Sequence, residues 1–70
     1  MTFTIETEQE TDSRWIAEIM ELAGVLAYGT TRDEALARAK ALALRVIAER
    51  LEHGEEPSAL TTIAFEATLV

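Results

Sequence analysis

The chain has no cysteine, a single histidine, a single proline and three glycines among its 70 residues. Without thiols there is neither a disulfide framework nor a thiolate metal site. One histidine does not build a zinc site without unusual carboxylate help. No apolar run nears the roughly 20 residues needed to span a bilayer. The opening residues, Met1-Thr2-Phe3-Thr4-Ile5-Glu6, show neither the basic nor the apolar segment of a secretory leader. A cytoplasmic protein with no membrane association is expected. Positive charge is scarce as well: six Lys and Arg stand against 13 Asp and Glu, a formal net charge of -7. Nucleic-acid binders concentrate cations on one face, so direct DNA or RNA binding is not expected. An acidic domain suits a basic protein partner, because complementary potentials speed encounter; read on charge alone, the acidity equally serves solubility.

What the chain does have is apolar content, at 49% of residues, enough for a packed core. Residues 1–70 allow one domain. At this size conformational entropy and apolar burial nearly cancel, and small domains are commonly completed by disulfides, metals or association. The first two routes are closed here, so a homodimer or higher homo-oligomer is expected.

Hydrophobic periodicity gives the order β-β-β-α-β, an α+β fold. Residues 2–10 alternate, with Phe3, Ile5 and Thr7 on one side and Thr4, Glu6 and Glu8 on the other. Thr11-Asp12-Ser13 has turn composition. A second strand runs from Arg14 to about Met20, placing Trp15, Ala17 and Ile19 opposite Ile16, Glu18 and Met20. Leu22-Ala23-Gly24 reads as a turn and Val25 to Tyr28 as a third strand closed by Gly29, completing an antiparallel meander. Thr31-Arg32-Asp33-Glu34 is a capping box in which the Thr31 hydroxyl accepts from the Glu34 amide and the Glu34 carboxylate returns to the Thr31 amide. Helix formers follow to His53, with Gly54 as the stop. Glu55-Glu56-Pro57-Ser58 is a polar connection, and Thr61 to Val70 is the last strand, with Thr61, Ile63, Phe65, Ala67 and Leu69 on one side.

The helix holds more apolar surface than one contact needs. Leu36, Ala39, Ala43 and Ile47 form the core stripe, whereas Leu42 and Leu44 stand roughly 160° apart around the axis. Ile16 and Met20 likewise lie opposite Trp15 and Ile19. Ile16, Met20, Leu42 and Leu44 are therefore the expected oligomer interface.

The segment Trp15-Ile16-Ala17-Glu18-Ile19, Glu21-Leu22-Ala23-Gly24-Val25, Tyr28-Gly29-Thr30-Thr31-Arg32-Asp33-Glu34-Ala35-Leu36 resembles the N-terminal domain of HicB-like antitoxins. In that family an aromatic-led strand enters a leucine–proline–glycine turn, and a third strand ends in glycine before a Thr/Ser-x-x-Glu-Ala-Leu helix start. The flanking strands extend the likeness over nearly the whole chain. Met20 and Ala23 replace frequent prolines of the family, and a single domain without the C-terminal ribbon-helix-helix or helix-turn-helix unit of many members is expected. The resemblance implies a partial ribonuclease-H-like fold with the last strand beside the first. It also implies a partner, a small basic HicA-type mRNA interferase whose active site the antitoxin covers. Partner contacts are expected from Glu6, Glu8, Glu18, Glu21 and Tyr28. A free-standing oligomeric scaffold of the same fold is the alternative.

A metal-dependent nuclease would need several carboxylates converging on divalent ions. Glu6, Glu8, Glu18 and Glu66 are available, but the two aspartates, Asp12 and Asp33, fall in a turn and a cap. The glutamates read better as a solvated or partner-facing acidic surface, and neither a metal nor a cofactor is expected. His53 pairs with Glu49 on the helix surface and has no nucleophile marked beside it, so no catalytic residue is assigned. Trp15 is expected in the core and Tyr28 at a half-exposed interface. Gly24 and Gly29 are turn glycines, since no Gly-rich run with a following Lys precedes the helix. Glu34–Arg38 and Arg45–Glu49 are spaced as helix-surface ion pairs.

Overall fold

The computed structural model describes residues 1–55 and 62–69. Five elements follow in the expected order: β1 (Thr2–Gln9), β2 (Trp15–Ile19), β3 (Leu26–Gly29), α1 (Arg32–Glu52) and β4 (Ala64–Leu69). They form one four-stranded mixed sheet, β3-β2-β1-β4, with the helix on one face. The polar connection at Glu56-Pro57-Ser58 and the expected strand ends, Thr61 and Val70, lie outside the described residues; β4 begins at Ala64, with the described Thr62 and Ile63 preceding it outside any strand.

Short turns make β1, β2 and β3 antiparallel. Ile5 pairs with Ile19 and Thr7 with Ala17, while Ala17 pairs with Ala27 and Trp15 with Gly29. The β1–β2 turn holds Ser13 at φ 72°, a left-handed conformation that disfavours a Cβ. The Ser13 amide donates to the Glu10 carbonyl at 3.0 Å, and the Arg14 amide donates to Asp12 Oδ1 at 3.1 Å. Gly24, at φ 81°, turns the chain into β3. Leu22 in this turn is itself buried, and its carbonyl accepts from Val25 at 3.1 Å. The turn residues Leu22 and Val25 thus belong to the core.

The helix begins as its capping box specifies on one side and differs on the other. Thr31 Oγ1 accepts from the Glu34 amide at 3.1 Å, whereas the Glu34 carboxylate accepts from the amide of Thr30, not Thr31, at 3.0 Å. Its C-terminus is a Schellman arrangement: the Gly54 amide donates to Leu51 and the Glu55 amide to Arg50, with Gly54 at φ 71°. The long helix from Arg32 returns the chain so that β4 enters parallel to β1, with Phe3 opposite Phe65 and Thr7 opposite Leu69.

The core lies between the sheet and the helix stripe Ala35, Leu36, Ala39, Ala43 and Ile47. Small alanines let α1 sit close to Phe3, Ile5, Ala17, Ile19 and Ala27. Trp15 packs against this core half-buried. Leu42, expected at an oligomer interface, also packs there beside Val46, Ile63 and Phe65, because position 42 flanks the buried stripe; Leu44, on the far side of the helix, is 47% exposed. The approach is tightest at Gly29, where a Cβ would stand 2.5 Å from the Ala35 backbone nitrogen. Glycine is thus required there for helix contact, beyond closing a strand.

Two substitutions should move stability in opposite directions. Gly29→Ala forces β3 away from the helix start and is expected to lower unfolding free energy by about 1–3 kcal/mol. Ser13→Gly relieves the left-handed turn and is expected to add up to about 1 kcal/mol. Urea denaturation of the two variants beside the parent protein measures both effects.

Candidate protein-binding face

Among the described residues one helix covers one face, so the pleat sends every second strand residue to a surface without a helix. β1 contributes Thr4, Glu6 and Glu8; β2 contributes Ile16 and Glu18; β3 contributes Leu26 and Tyr28; β4 contributes Ala64, Glu66 and Thr68. The register sets them in rows across the sheet. One row runs Tyr28, Ile16, Glu8, and the next runs Leu26, Glu18, Glu6, Thr68. Glu6, Glu8, Glu10 and Glu18 surround Ile16 in a shallow depression of about 150 Å³. That is smaller than the roughly 300 Å³ at which small-molecule sites begin, so the face suits a broad contact better than an enclosed ligand.

Electrostatics on this face are one-sided. The four strands contain no lysine or arginine. Five of the six basic residues lie on α1, where four acidic residues leave that helix at +1, so the net -7 comes wholly from outside it. Glu6 and Glu18 are directly opposite across β1 and β2, a like-charge pairing that weakens a sheet. The Arg14 guanidinium lies 4.9 Å over the Tyr28 ring, but its charge is engaged by Asp12 at 2.8 Å. That contact has an aromatic face for one wall, as expected for a half-exposed Tyr28, which is 41% exposed. The amide of Arg14, followed by its side chain, holds the Asp12 carboxyl below its ordinary 3.8.

Glu21 has a different part. One of its oxygens accepts from the Thr4 amide at 2.7 Å, and the Met20 amide donates to the Thr4 carbonyl at 3.0 Å. The carboxylate therefore closes the β1–β2 ladder where the second strand departs, and the Thr4 amide holds it below the ordinary 4.5. Sequence periodicity could not reveal this, because it needs the register. Met20, 50% exposed, projects beside this junction, and Ile16, half-buried, lines the acidic depression.

Comparison with known proteins finds no matching family model, no matching curated protein and no matching solved structure.

Other chemistry-bearing residues are held by local structure. His53 Nδ1 meets the Glu49 backbone carbonyl at 2.9 Å, in place of the expected side-chain pairing with Glu49. Arg38 reaches Glu34 at 3.3 Å and donates to the Tyr28 carbonyl at 2.9 Å, tying α1 to β3. The spacing of Arg45 and Glu49 does not produce an ion pair, so among the described residues that surface pairing is absent. Thr7, fully buried, donates to the Thr68 carbonyl at 2.9 Å and accepts from Arg32 Nε at 2.9 Å. That stitch fastens β4 and the helix start to β1. Among the described residues, no group of three or more His, Asp or Glu is placed to hold a metal ion, and no helix is long and apolar enough to cross a membrane.

The Glu21 contact sets a pH dependence. A carboxyl held below its ordinary value stabilises the fold above 4.5, and that contribution is lost as pH falls through the lowered folded value. Amide exchange should show the Thr4 amide protected at neutral pH and losing protection in the acid range, whereas in Glu21→Ala it is unprotected throughout. An unchanged Thr4 amide in that variant would remove Glu21 from the ladder.

Proposed function

We propose that this chain is a HicB-like antitoxin module, which lays its helix-free sheet face on a small basic HicA-type mRNA interferase and blocks the toxin's active site by occupancy. The observation that carries this reading is the segregation of charge: a broad strand surface holds Glu6, Glu8, Glu10, Glu18 and Glu66 with no basic residue among its strands, and it includes a like-charge pair that costs the isolated fold stability. A partner rich in lysine and arginine turns that cost into attraction. Ile16, Met20, Leu26 and Tyr28 on the same face supply apolar and aromatic contact beside the carboxylates, the mixture found in protein interfaces. The order β-β-β-α-β with β4 beside β1 is the order the HicB resemblance implies, and it gives further support.

In this reading the carboxylates bind a partner and catalyse no reaction. Glu6, Glu8 and Glu18 steer and hold the toxin, Tyr28 supplies a flat edge contact, and Glu21 keeps the end of β1 in place. The protein acts in the cytoplasm, where its toxin would be made.

Calorimetric titration of the chain into the HicA-type product of an adjacent reading frame tests this. Tight binding is expected, weakening with salt, and Glu6→Lys with Glu18→Lys should weaken it by at least about tenfold, or 1.4 kcal/mol. Binding indifferent to both the double reversal and salt would remove the acidic face from the interface. No binding at all would leave an oligomeric scaffold without a toxin.

A further inference from the structure

The acidic face is not the only unfinished surface. β4 lies at the end of the β3-β2-β1-β4 order and pairs only with β1 among the described residues. α1 packs over β3, β2 and β1 but scarcely reaches β4. The helix-side residues of β4 show the result. Phe65 stacks on Phe3 with ring centroids 5.7 Å apart, yet Ala67 is exposed and Leu69 is 67% exposed. An edge strand with no lysine, proline or bulge, and with bare apolar side chains, is a template for strand addition.

Backbone alternation fixes what such an addition would look like. The Ala64 amide donates to the Met1 carbonyl, so Ala64, Glu66 and Thr68 turn their backbone groups toward β1. Phe65, Ala67 and Leu69 then turn theirs outward. In an antiparallel pair, residues with groups facing each other exchange both hydrogen bonds. A second copy aligned with Ala67 opposite Ala67 satisfies this rule over the whole strand. It sets Phe65 against Leu69 of the second copy on the helix side, and Glu66 against Thr68 of the second copy on the other side. Shifting the pairing by two residues one way sets Glu66 against Glu66 of the second copy, which is repulsive; shifting it the other way sets Thr68 against Thr68 and leaves Phe65 opposite no residue of the second β4. The centred register is thus self-complementary in hydrogen bonding, apolar contact and charge.

The geometry points to β4 as a homodimer edge: two copies pair antiparallel about Ala67 to make a continuous eight-stranded sheet, with Phe65 and Leu69 of both copies filling the trough that neither helix covers. This interface leaves the acidic face of each copy open, and it stands whether or not that face binds a toxin. It also places self-association on β4, away from Ile16, Met20, Leu42 and Leu44.

Sedimentation of the purified chain over micromolar to near-millimolar concentration, with three variants, tests the proposal. A dimer is expected for the parent. Ala67→Pro removes an outward amide without touching the β1 ladder, and Leu69→Lys places a charge on an exposed apolar position; each should raise the dimer dissociation constant at least about tenfold while far-UV circular dichroism stays that of the parent. Ala67→Cys, the sole thiol of the chain, should form a covalent dimer rapidly on oxidation, because the pairing sets position 67 against itself. Leu44→Cys on the outer helix face should not. Should Ala67→Pro fail to fold, Leu69→Lys and the cross-linking pair still decide. A parent that stays monomeric overturns the edge pairing. So does a dimer that survives Leu69→Lys and cross-links through position 44.

Discussion

One helix covering a sheet wider than itself is the constraint on which the rest of this molecule depends. Four strands spaced about 4.8 Å apart span roughly 15 Å, whereas a helix with its side chains is about 10 Å across. α1 can therefore shelter three strands on one face and none on the other. The alanines at 35, 39 and 43 and the glycine at 29 bring it close enough to bury Phe3, Ile5, Ala17 and Ile19 fully or nearly so. What remains outside its shadow is the whole opposite face and the helix side of β4 beyond Phe65, at Ala67 and Leu69.

The two uncovered surfaces differ in chemistry. The opposite face is acidic with apolar and aromatic side chains set among the carboxylates, and it faces a solvent in which like charges repel. The β4 edge is apolar with open backbone groups and almost no charge. In the reading proposed above, a basic polypeptide relieves the first, and a second copy of the chain relieves the second. Five of the six cations are gathered on α1, where Arg32 is engaged by Thr7 and Arg38 by Glu34 and the Tyr28 carbonyl, and the sixth, Arg14, is paired with Asp12. That placement leaves the sheet face negative without giving up the bonds that fix the helix to the strands.

Much of the fold was legible in the sequence because each element carries a strong local signal. The alternation in β1, the Thr31 cap and the Gly54 stop locate their elements to within a residue or so. The placement of Glu6, Glu8 and Glu18 on one face follows from the period of two alone. What local patterning could not supply was anything set by register or by the reach of the helix. Glu21 closes the β1–β2 ladder through Thr4, and Gly29 is demanded by Ala35; both depend on residues distant in sequence. Leu42 packs against the core rather than standing free like Leu44, because helical angle alone does not say how wide an arc the sheet covers. Ala67 and Leu69 share a side with Phe65, yet their exposure arises only because the helix ends its coverage at β1.

The most direct measurement of whether the helix-free acidic face is a docking surface is amide chemical-shift mapping of the labelled chain during titration with a HicA-type toxin. Changes gathered on Thr4, Glu6, Glu8, Ile16, Glu18 and Tyr28, with the outer side of α1 quiet, are the expected result. Changes gathered instead around the exposed helix residues Leu44 and Leu51 would contradict it.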